Sequence, residues 1–442
     1  RKYPEFKNYF QNFKDLKEYE IKSDKYLQLT KQDYSKNNKK VLLFDERLKI
    51  VYQKEEKFKE IEDDDGFPCD DRTLNEKWIK STLEELSESE DYRLKAVNFS
   101  TYGATLMHID ELGEPMTPIY NYMKPMPEEI LNQFYPRHGG KEEFCRKTAS
   151  PALGMLNSGL QILWLKKTKP ELFRKVKNIL HFPQYCSYLI ARTVVSEYTS
   201  IGCHTAMWDF DNMQYHSWLA EEGITLPEPL SNSTTFEPVD KKFDFAVGAG
   251  IHDSSASLAP YILGSDEKFL LLSTGTWSIN MNPYNYEPLS KEELENDCLS
   301  YMSINQKPVK SSRFFLGHIH DVNLEKLNNF FQVDKDQYKS VTLDETAAGA
   351  MLTDGNKFFS QGIPENHVDE TIDLSIFNSF EEAYQQLVID LTRFLKRSVD
   401  FIIPENDDIQ NIYISGGFAK NAIFVRSLAT HYKDKKIFTS EI

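Results

Sequence analysis

The sequence predicts an α/β nucleotide-binding architecture spread over two domains, and three observations carry that prediction. Short apolar strands recur in both halves and run straight into polar turns. Residues 96–100 lead to Thr101-Tyr102-Gly103-Ala104, residues 269–272 to Ser273-Thr274-Gly275-Thr276, and residues 411–415 to Gly416-Gly417. Helical patterns alternate with these strands. The chain of 442 residues is also too long for one ordinary core, so two domains of roughly 200 residues each are expected.

Taken in order, residues 3–20 place Phe6, Tyr9, Phe10, Phe13 and Leu16 at helical spacing, the pattern of an amphipathic helix laid on the body. A strand over 26–29 follows. Residues 40–44 and 48–52, separated by Asp45-Glu46-Arg47, then read as an antiparallel hairpin. The acidic stretch 55–71, with Gly66 and Pro68, reads as a solvated loop. Helical pattern dominates 151–191, where Pro170 is a stop and restart signal. Ser379 and Glu382 form a capping box that opens a long helix. The strand over 411–415 is followed by a helix through Arg426 and Leu428.

Composition narrows the function. The formal net charge is −16 with no basic block to offset it, whereas nucleic-acid binding draws on a cationic stripe that displaces counterions. An acidic chain still binds a nucleotide when backbone N–H groups and a metal ion supply local positive potential. Five scattered cysteines without a CxxC pair argue against a disulfide framework and a structural zinc site. No apolar run approaches the ~20 residues of a membrane span. The expectation is a cytoplasmic protein with neither nucleic-acid nor membrane partners.

Three turns have chemistry suited to ATP phosphates. The first, 33–38, offers Asp33 for magnesium and Lys36, Asn37 and Asn38 for phosphate oxygens; a plain polar hairpin tip is the competing reading. The second is Ser273-Thr274-Gly275-Thr276, where glycine lets an anion approach the backbone between two hydroxyls. The third is the strand–Gly416-Gly417–helix junction ending at Asn421. Asp253, just past a Gly-rich strand end, has two readings as well. It is either the carboxylate that accepts a hydroxyl proton in phosphoryl transfer, or the N-cap of the helix that follows. His252 beside it reads as packing.

These segments together resemble the FGGY carbohydrate kinases, a family of the actin-like, ribonuclease-H-like ATPase superfamily. The resemblance rests on Asp33-Tyr34-Ser35-Lys36-Asn37-Asn38-Lys39-Lys40, on STYGAT (100–105), PIYNY (118–122) and SEYTSIGCHTAMWDF (196–210). It continues through GAGIHDSSASL (248–258), LSTGTWS (272–278) and ISGGFAKN (414–421), in family order and spacing. It implies two ribonuclease-H-like domains flanking a catalytic cleft, with the junction near Lys242. Residues 1–22 would be a helical extension, 23–242 the sugar-binding domain and 243–442 the nucleotide-binding domain, cut short at its end.

By resemblance, Asp33 is the magnesium-side carboxylate and Asp253 the catalytic base. Thr274, Gly275 and Thr276 are the second phosphate motif, and Gly416, Gly417 and Asn421 the adenosine motif. Tyr102, Gly103, Ala104, Asn121 and Tyr122 lie where the sugar is contacted, and Asp253 meets its hydroxyl. Trp208 either stacks on a sugar face or fills a core; Asp209 is either a cap or a sugar ligand. The implied reaction is transfer of a phosphoryl group from Mg²⁺-ATP to a ketose, L-rhamnulose- or L-fuculose-like, or xylulose; a homodimer is compatible with it. Two departures stand out: Ser35 replaces a family glycine and Asn37 a family threonine. They motivate a second reading, a weakened kinase fold that binds sugar or nucleotide without turnover. A filament-forming actin-like ATPase is the third.

Overall fold

The computed structural model describes residues 25–30, 38–342 and 357–440. The expected N-terminal helix over 3–20 lies outside them. Two compact units divide the chain. The first runs to Gly264 and includes Tyr286–Leu294 and Leu299–Val309; the second comprises Ser265–Asn285, Glu295–Cys298 and the chain from Lys310 onward.

The sheet of the first unit includes β1 (Lys25–Thr30), β2 (Asn38–Phe44), β3 (Ile50–Lys57), β4 (Leu94–Thr101), β5 (Ala246–Gly248) and β6 (Ile251–His252), with the short strand Thr235–Phe236 antiparallel to β5 at its edge. Its order is β3-β2-β1-β4-β5, and β6 extends the pairing along β4. β2 is antiparallel to both neighbours, whereas β1, β4, β5 and β6 are parallel. The predicted hairpin is present, with Leu43 opposite Tyr52. Asp45 closes its turn by accepting from the backbone N–H groups of Arg47 and Lys49, both at 2.9 Å.

Helices α1 (Arg72–Glu88), α2 (Phe182–Ala191) and α3 (Asp253–Gly264) belong to this unit. α1 is N-capped by Asp71, which accepts from the Leu74 N–H at 2.9 Å, and it buries Ile79, Leu83 and Leu86. α2 is buried along its whole length, and its polar Gln184 and Ser187 donate to the Ala249 and Gly248 carbonyls. α1 and α2 share one core with Val41, Leu43, Val97 and Phe99 of the strands.

The acidic stretch is largely exposed, in keeping with its reading as a solvated loop, but not throughout. Residues through Lys57 extend β3, and Asp63 is buried against the Lys124 ammonium at 2.6 Å. Asp70 faces Lys39 at 3.1 Å with both side chains nearly covered. Cationic partners far along the chain make this burial tolerable. The helical stretch 151–191 breaks at Lys169, restarts at Pro170, and contains a strand, Asn178–His181, that its composition did not suggest.

The second unit repeats the plan with β7 (Phe269–Thr274), β8 (Ser278–Asn282), β9 (Pro308–Phe314), β10 (Asn411–Gly416) and β11 (Lys436–Thr439). These run in the order β9-β8-β7-β10-β11. β8 is antiparallel to β7 and β9, and β7, β10 and β11 are parallel. Its helices include α4 (Leu316–Phe331), α5 (Phe380–Asp400) and α6 (Ala422–His431). Ser379 Oγ caps α5 by accepting from the Glu382 N–H at 3.2 Å. The Glu382 carboxylate reaches back one residue further than a capping box requires, to the Asn378 N–H at 2.8 Å. Among the described residues no helix is long and apolar enough to cross a membrane.

The expected junction at Lys242 and the division at Gly264 differ for a structural reason. β5 and β6, both past Lys242, pair with β4 of the first sheet, and this pairing draws Asp253 into the first unit.

Candidate active site

The parallel strands deliver their C-terminal ends to one place. Ile251 and His252 of β6 lie opposite Ser100 and Thr101 of β4, so Asp253 emerges beside Tyr102-Gly103, where ligands of α/β sheets sit. Asp253 opens α3, and its side chain is 39% exposed. Its Oδ1 accepts from the Ser254 N–H at 2.6 Å and lies 3.0 Å from His252 Nε2. The positive end of the helix dipole favours the ionised carboxylate there. Its carboxylate accepts from the Ser254 amide while more than a third of the side chain stays exposed, so local hydrogen bonding and catalysis are not exclusive at this position.

His252 is buried, and burial pushes its imidazole down to about 3. The ring is neutral, so its Nε2 carries the proton that faces the carboxylate. Its backbone N–H donates to Thr199 Oγ1 at 3.0 Å, and that hydroxyl donates to Glu197 at 2.6 Å. Glu197 also accepts from the N–H groups of Thr199 and Ser200 at 2.9 and 3.1 Å. It is fully buried, and burial raises its carboxyl to about 7. The segment 196–200 thus holds the residue next to Asp253 through a network of four hydrogen bonds.

Around this centre stand tyrosines. The Tyr102 and Tyr122 rings meet edge-on at 5.5 Å. Burial raises the Tyr122 phenol, and the negative charges of Asp253 and then Asp70 add to the effect. Tyr102 Oη lies 3.4 Å from Asp70. Of the residues expected at the sugar, Tyr102 and Tyr122 gather here with Asp253. Gly103 has a packing reason to be glycine, because a Cβ there would overlap Cys203 Sγ. Ala104 is buried, and its carbonyl accepts from Gln161 Nε2 at 2.5 Å. Asn121 closes a turn, accepting from the Met123 N–H at 3.0 Å and donating to the Pro68 carbonyl at 2.9 Å.

Trp208 is buried edge-on between Tyr198 and Tyr215, at 5.9 and 5.5 Å, the arrangement of a core aromatic. Asp209 caps the turn after it, accepting from the N–H groups of Asp211 and Asn212. Lys39, Asp70, Glu197 and Thr199 escaped sequence reasoning. Lys39 had a signal in its place in the first phosphate segment, and Glu197 and Thr199 in theirs within the segment 196–210.

In the second unit the two glycine turns sit side by side because β7 and β10 are parallel neighbours, Thr274 opposite Gly416. Thr274 Oγ1 donates to the Ser415 carbonyl at 2.5 Å and accepts from the Phe418 N–H at 3.2 Å, so this hydroxyl clamps one turn to the other. Gly416 has φ +83°, and a Cβ there would overlap the Thr274 carbonyl oxygen. Gly275 and Gly417 differ. Both are exposed; a Cβ at Gly417 would meet nothing within 4 Å, and at Gly275 only the Trp277 carbonyl at 3.7 Å. Packing does not demand glycine at either, which fits a cradle kept open for phosphate oxygens.

Thr276 is exposed beside this cradle, and its carbonyl accepts from the N–H groups of Gly317 and His318 at 3.0 and 3.3 Å. Ser273 is half-buried at the end of β7. Asn421 N-caps α6 through the Phe424 N–H at 3.1 Å, and its amide donates to Tyr384 Oη at 3.0 Å. Its side chain is oriented by the protein itself. Asp33, Lys36 and Asn37 lie outside the described residues; of Asn38 only its place at the start of β2 is described.

Two units of one ribonuclease-H-like strand order, one with a carboxylate at the strand ends and one with paired glycine turns, define the actin-like class of α/β phosphotransferases. Similarity to known proteins agrees. Residues 32–241 match the N-terminal domain of the FGGY family of carbohydrate kinases. The rhamnulokinase of Oceanobacillus iheyensis is 21% identical over 372 residues, covering 76% of this chain and 74% of that protein. The rhamnulokinase of Halalkalibacterium halodurans is 26% identical over 198 residues, 42% of this chain and 41% of that protein. Among solved structures, a carbohydrate kinase from Novosphingobium aromaticivorans superimposes with TM-score 0.78 at 20% identity, covering 95% of this chain and 89% of that one. A ligand-bound xylulose kinase from Lactobacillus acidophilus gives TM-score 0.75 at 15% identity, with 96% and 86% coverage. Residues 32–241 thus match the N-terminal domain of the FGGY carbohydrate kinases, and the chain has the fold of sugar kinases of that kind.

Proposed function

We propose that this chain transfers the γ-phosphoryl group of ATP to a hydroxyl of a ketose, with Asp253 as general base. The observation that carries the reading is the Asp253 carboxylate itself, accessible at the ends of parallel strands and held from one side by a neutral histidine. Asp253 takes the proton of the attacking hydroxyl as the oxygen engages phosphorus. A positioned base of this kind contributes typically 10²–10⁴-fold to rate. His252 and the start of α3 hold the carboxylate in place. Tyr102 and Tyr122 supply a flat, partly apolar wall with phenol hydroxyls, suited to a sugar that presents both faces and edges.

The open turns at Gly275, Thr276 and Gly417 would take phosphate oxygens of the nucleotide, while Thr274 and Gly416 hold those turns in register. Magnesium, when bound, neutralises charge on the phosphates, and Asp33 is the residue proposed to hold it. A 6-deoxy ketohexose of the L-rhamnulose or L-fuculose type is the preferred acceptor, supported by two rhamnulokinase relatives; xylulose is second, supported by the fold neighbour. A cytoplasmic enzyme is the setting this implies.

The test is a ketose panel assayed for ADP release with Mg²⁺-ATP. Turnover with a 6-deoxy ketohexose above that with xylulose is expected. Saturable sugar binding without turnover on any member would favour the weakened-fold reading that Ser35 and Asn37 motivate.

A further inference from the structure

We propose that Cys203, His204 and His252 form a site for a soft divalent metal ion of the zinc type, beside Asp253. The candidate ligand atoms of these three side chains all lie within 4.8 Å of one another. Tetrahedral zinc, with bonds of about 2.0–2.3 Å, sets its ligand atoms roughly 3.3–3.8 Å apart, a contraction within reach of side-chain rotation. Cys203 and His252 are buried and His204 is half-buried, which gives an ion a way in from the His204 side.

An independent observation points to a ligand. The Nε2–H of His252 is committed to Asp253 at 3.0 Å, so the lone pair of the neutral ring lies on Nδ1. That atom is buried and has no hydrogen-bond partner among the described residues. Leaving a buried acceptor unsatisfied costs about 1–3 kcal/mol, and the packing described above gives no return for it. An imidazole that donates one N–H to a carboxylate and presents its other nitrogen bare is the arrangement that orients metal-ligating histidines.

The local field has the right sign. Cys203 Sγ donates to the Ser200 carbonyl at 3.2 Å. Burial first, then the negative charges of Asp253 and Glu197, hold its thiol well above the usual range. The same negative charges favour a divalent cation. On binding, the S–H bond breaks, its proton leaves to solvent, and the sulfur lone pair is donated to the metal, one proton per ion. Sulfur and imidazole select zinc-like ions over magnesium, which prefers oxygen ligands. The site is therefore distinct from any that serves Mg²⁺-ATP, and it stands whichever sugar is phosphorylated.

The full chain, stripped with chelator and titrated with Co²⁺ as probe, tests this without reading turnover. The expected result is a near-ultraviolet sulfur-to-cobalt charge-transfer band with visible bands of tetrahedral cobalt. They should saturate at one equivalent, and be bleached by Zn²⁺ but not by excess Mg²⁺. Cys203→Ser should remove the charge-transfer band, and His204→Gln should weaken Co²⁺ binding at least tenfold. No charge-transfer band in the wild type, or one that persists in Cys203→Ser, overturns the proposal. Should Cys203→Ser fail to fold, unchanged Co²⁺ affinity in His204→Gln overturns it on its own.

Discussion

The two units share one strand order and use its strand ends in opposite ways. In the second, the turn after β7 and the turn after β10 meet as bare backbone. Thr274 and Gly416 lock them together, and Gly275 and Gly417 leave the surface open. In the first, the corresponding end of β4 carries Tyr102 and Gly103, and the neighbouring β6 delivers Asp253. One unit presents amides and glycines, which suit the oxygens of an anion. The other presents aromatic faces and a carboxylate, which suit a neutral polyol. The topology fixes where a ligand meets each sheet, and the side chains at those ends decide which ligand it is.

That contrast can be broken at chosen residues. The largest effect on stability is expected at Gly416. Gly416→Ala forces a Cβ onto the Thr274 carbonyl at φ +83° and should cost about 3 kcal/mol or more, read as a fall in the melting temperature of the second unit. Next is the buried pair in the first unit. Lys39→Met leaves Asp70 nearly covered without its ammonium partner, a loss of roughly 3 kcal/mol by denaturant unfolding.

A pH effect follows from Glu197, whose carboxyl is raised to about 7 by burial, against about 4.3 in an unfolded chain. The folded state then binds the extra proton between those values. This group's contribution to stability is full below about pH 4.3 and is lost as pH rises through about 7. The buried histidines His108, His181 and His252, pushed down to about 4, 3 and 3, act in the opposite sense below about 6.5. The informative quantity is therefore the difference between Glu197→Gln and the wild type. The variant should gain on the wild type as pH rises from 5 to 8, in thermal melts over that range. The smallest effect on stability is expected for Gly417→Ala, within ~0.5 kcal/mol of wild type, yet its KM for ATP should rise about tenfold. A variant that melts lower with unchanged KM would make this glycine a packing residue.

What the sequence made legible was local. The strand–turn junctions at 273–276 and 415–417 read correctly as turns because glycines and hydroxyls follow an apolar run without interruption. The hairpin at 40–52 and the start of the helix at Phe380 were legible for the same reason. What escaped lay in pairings across long separations. Thr274 acts as a clamp through Ser415 and Phe418, more than 140 residues away. The acidic stretch gave no sign that Asp63 is buried against Lys124, sixty-one residues away. Asn121, expected at the sugar by resemblance, also closes a turn through the Met123 amide, which its spacing did not show. The FGGY N-terminal domain match ends at residue 241, whereas the sheet goes on to recruit β5 and β6, since strand pairing is decided by register rather than by segment composition.

The measurement that tests the account most directly is ADP release by Asp253→Asn with the preferred ketose, alongside nucleotide binding by the same variant. The account predicts turnover lowered by about 10²–10⁴ with ATP affinity unchanged, because the amide keeps the shape of the side chain and cannot accept the proton. Turnover within a few-fold of wild type would contradict it.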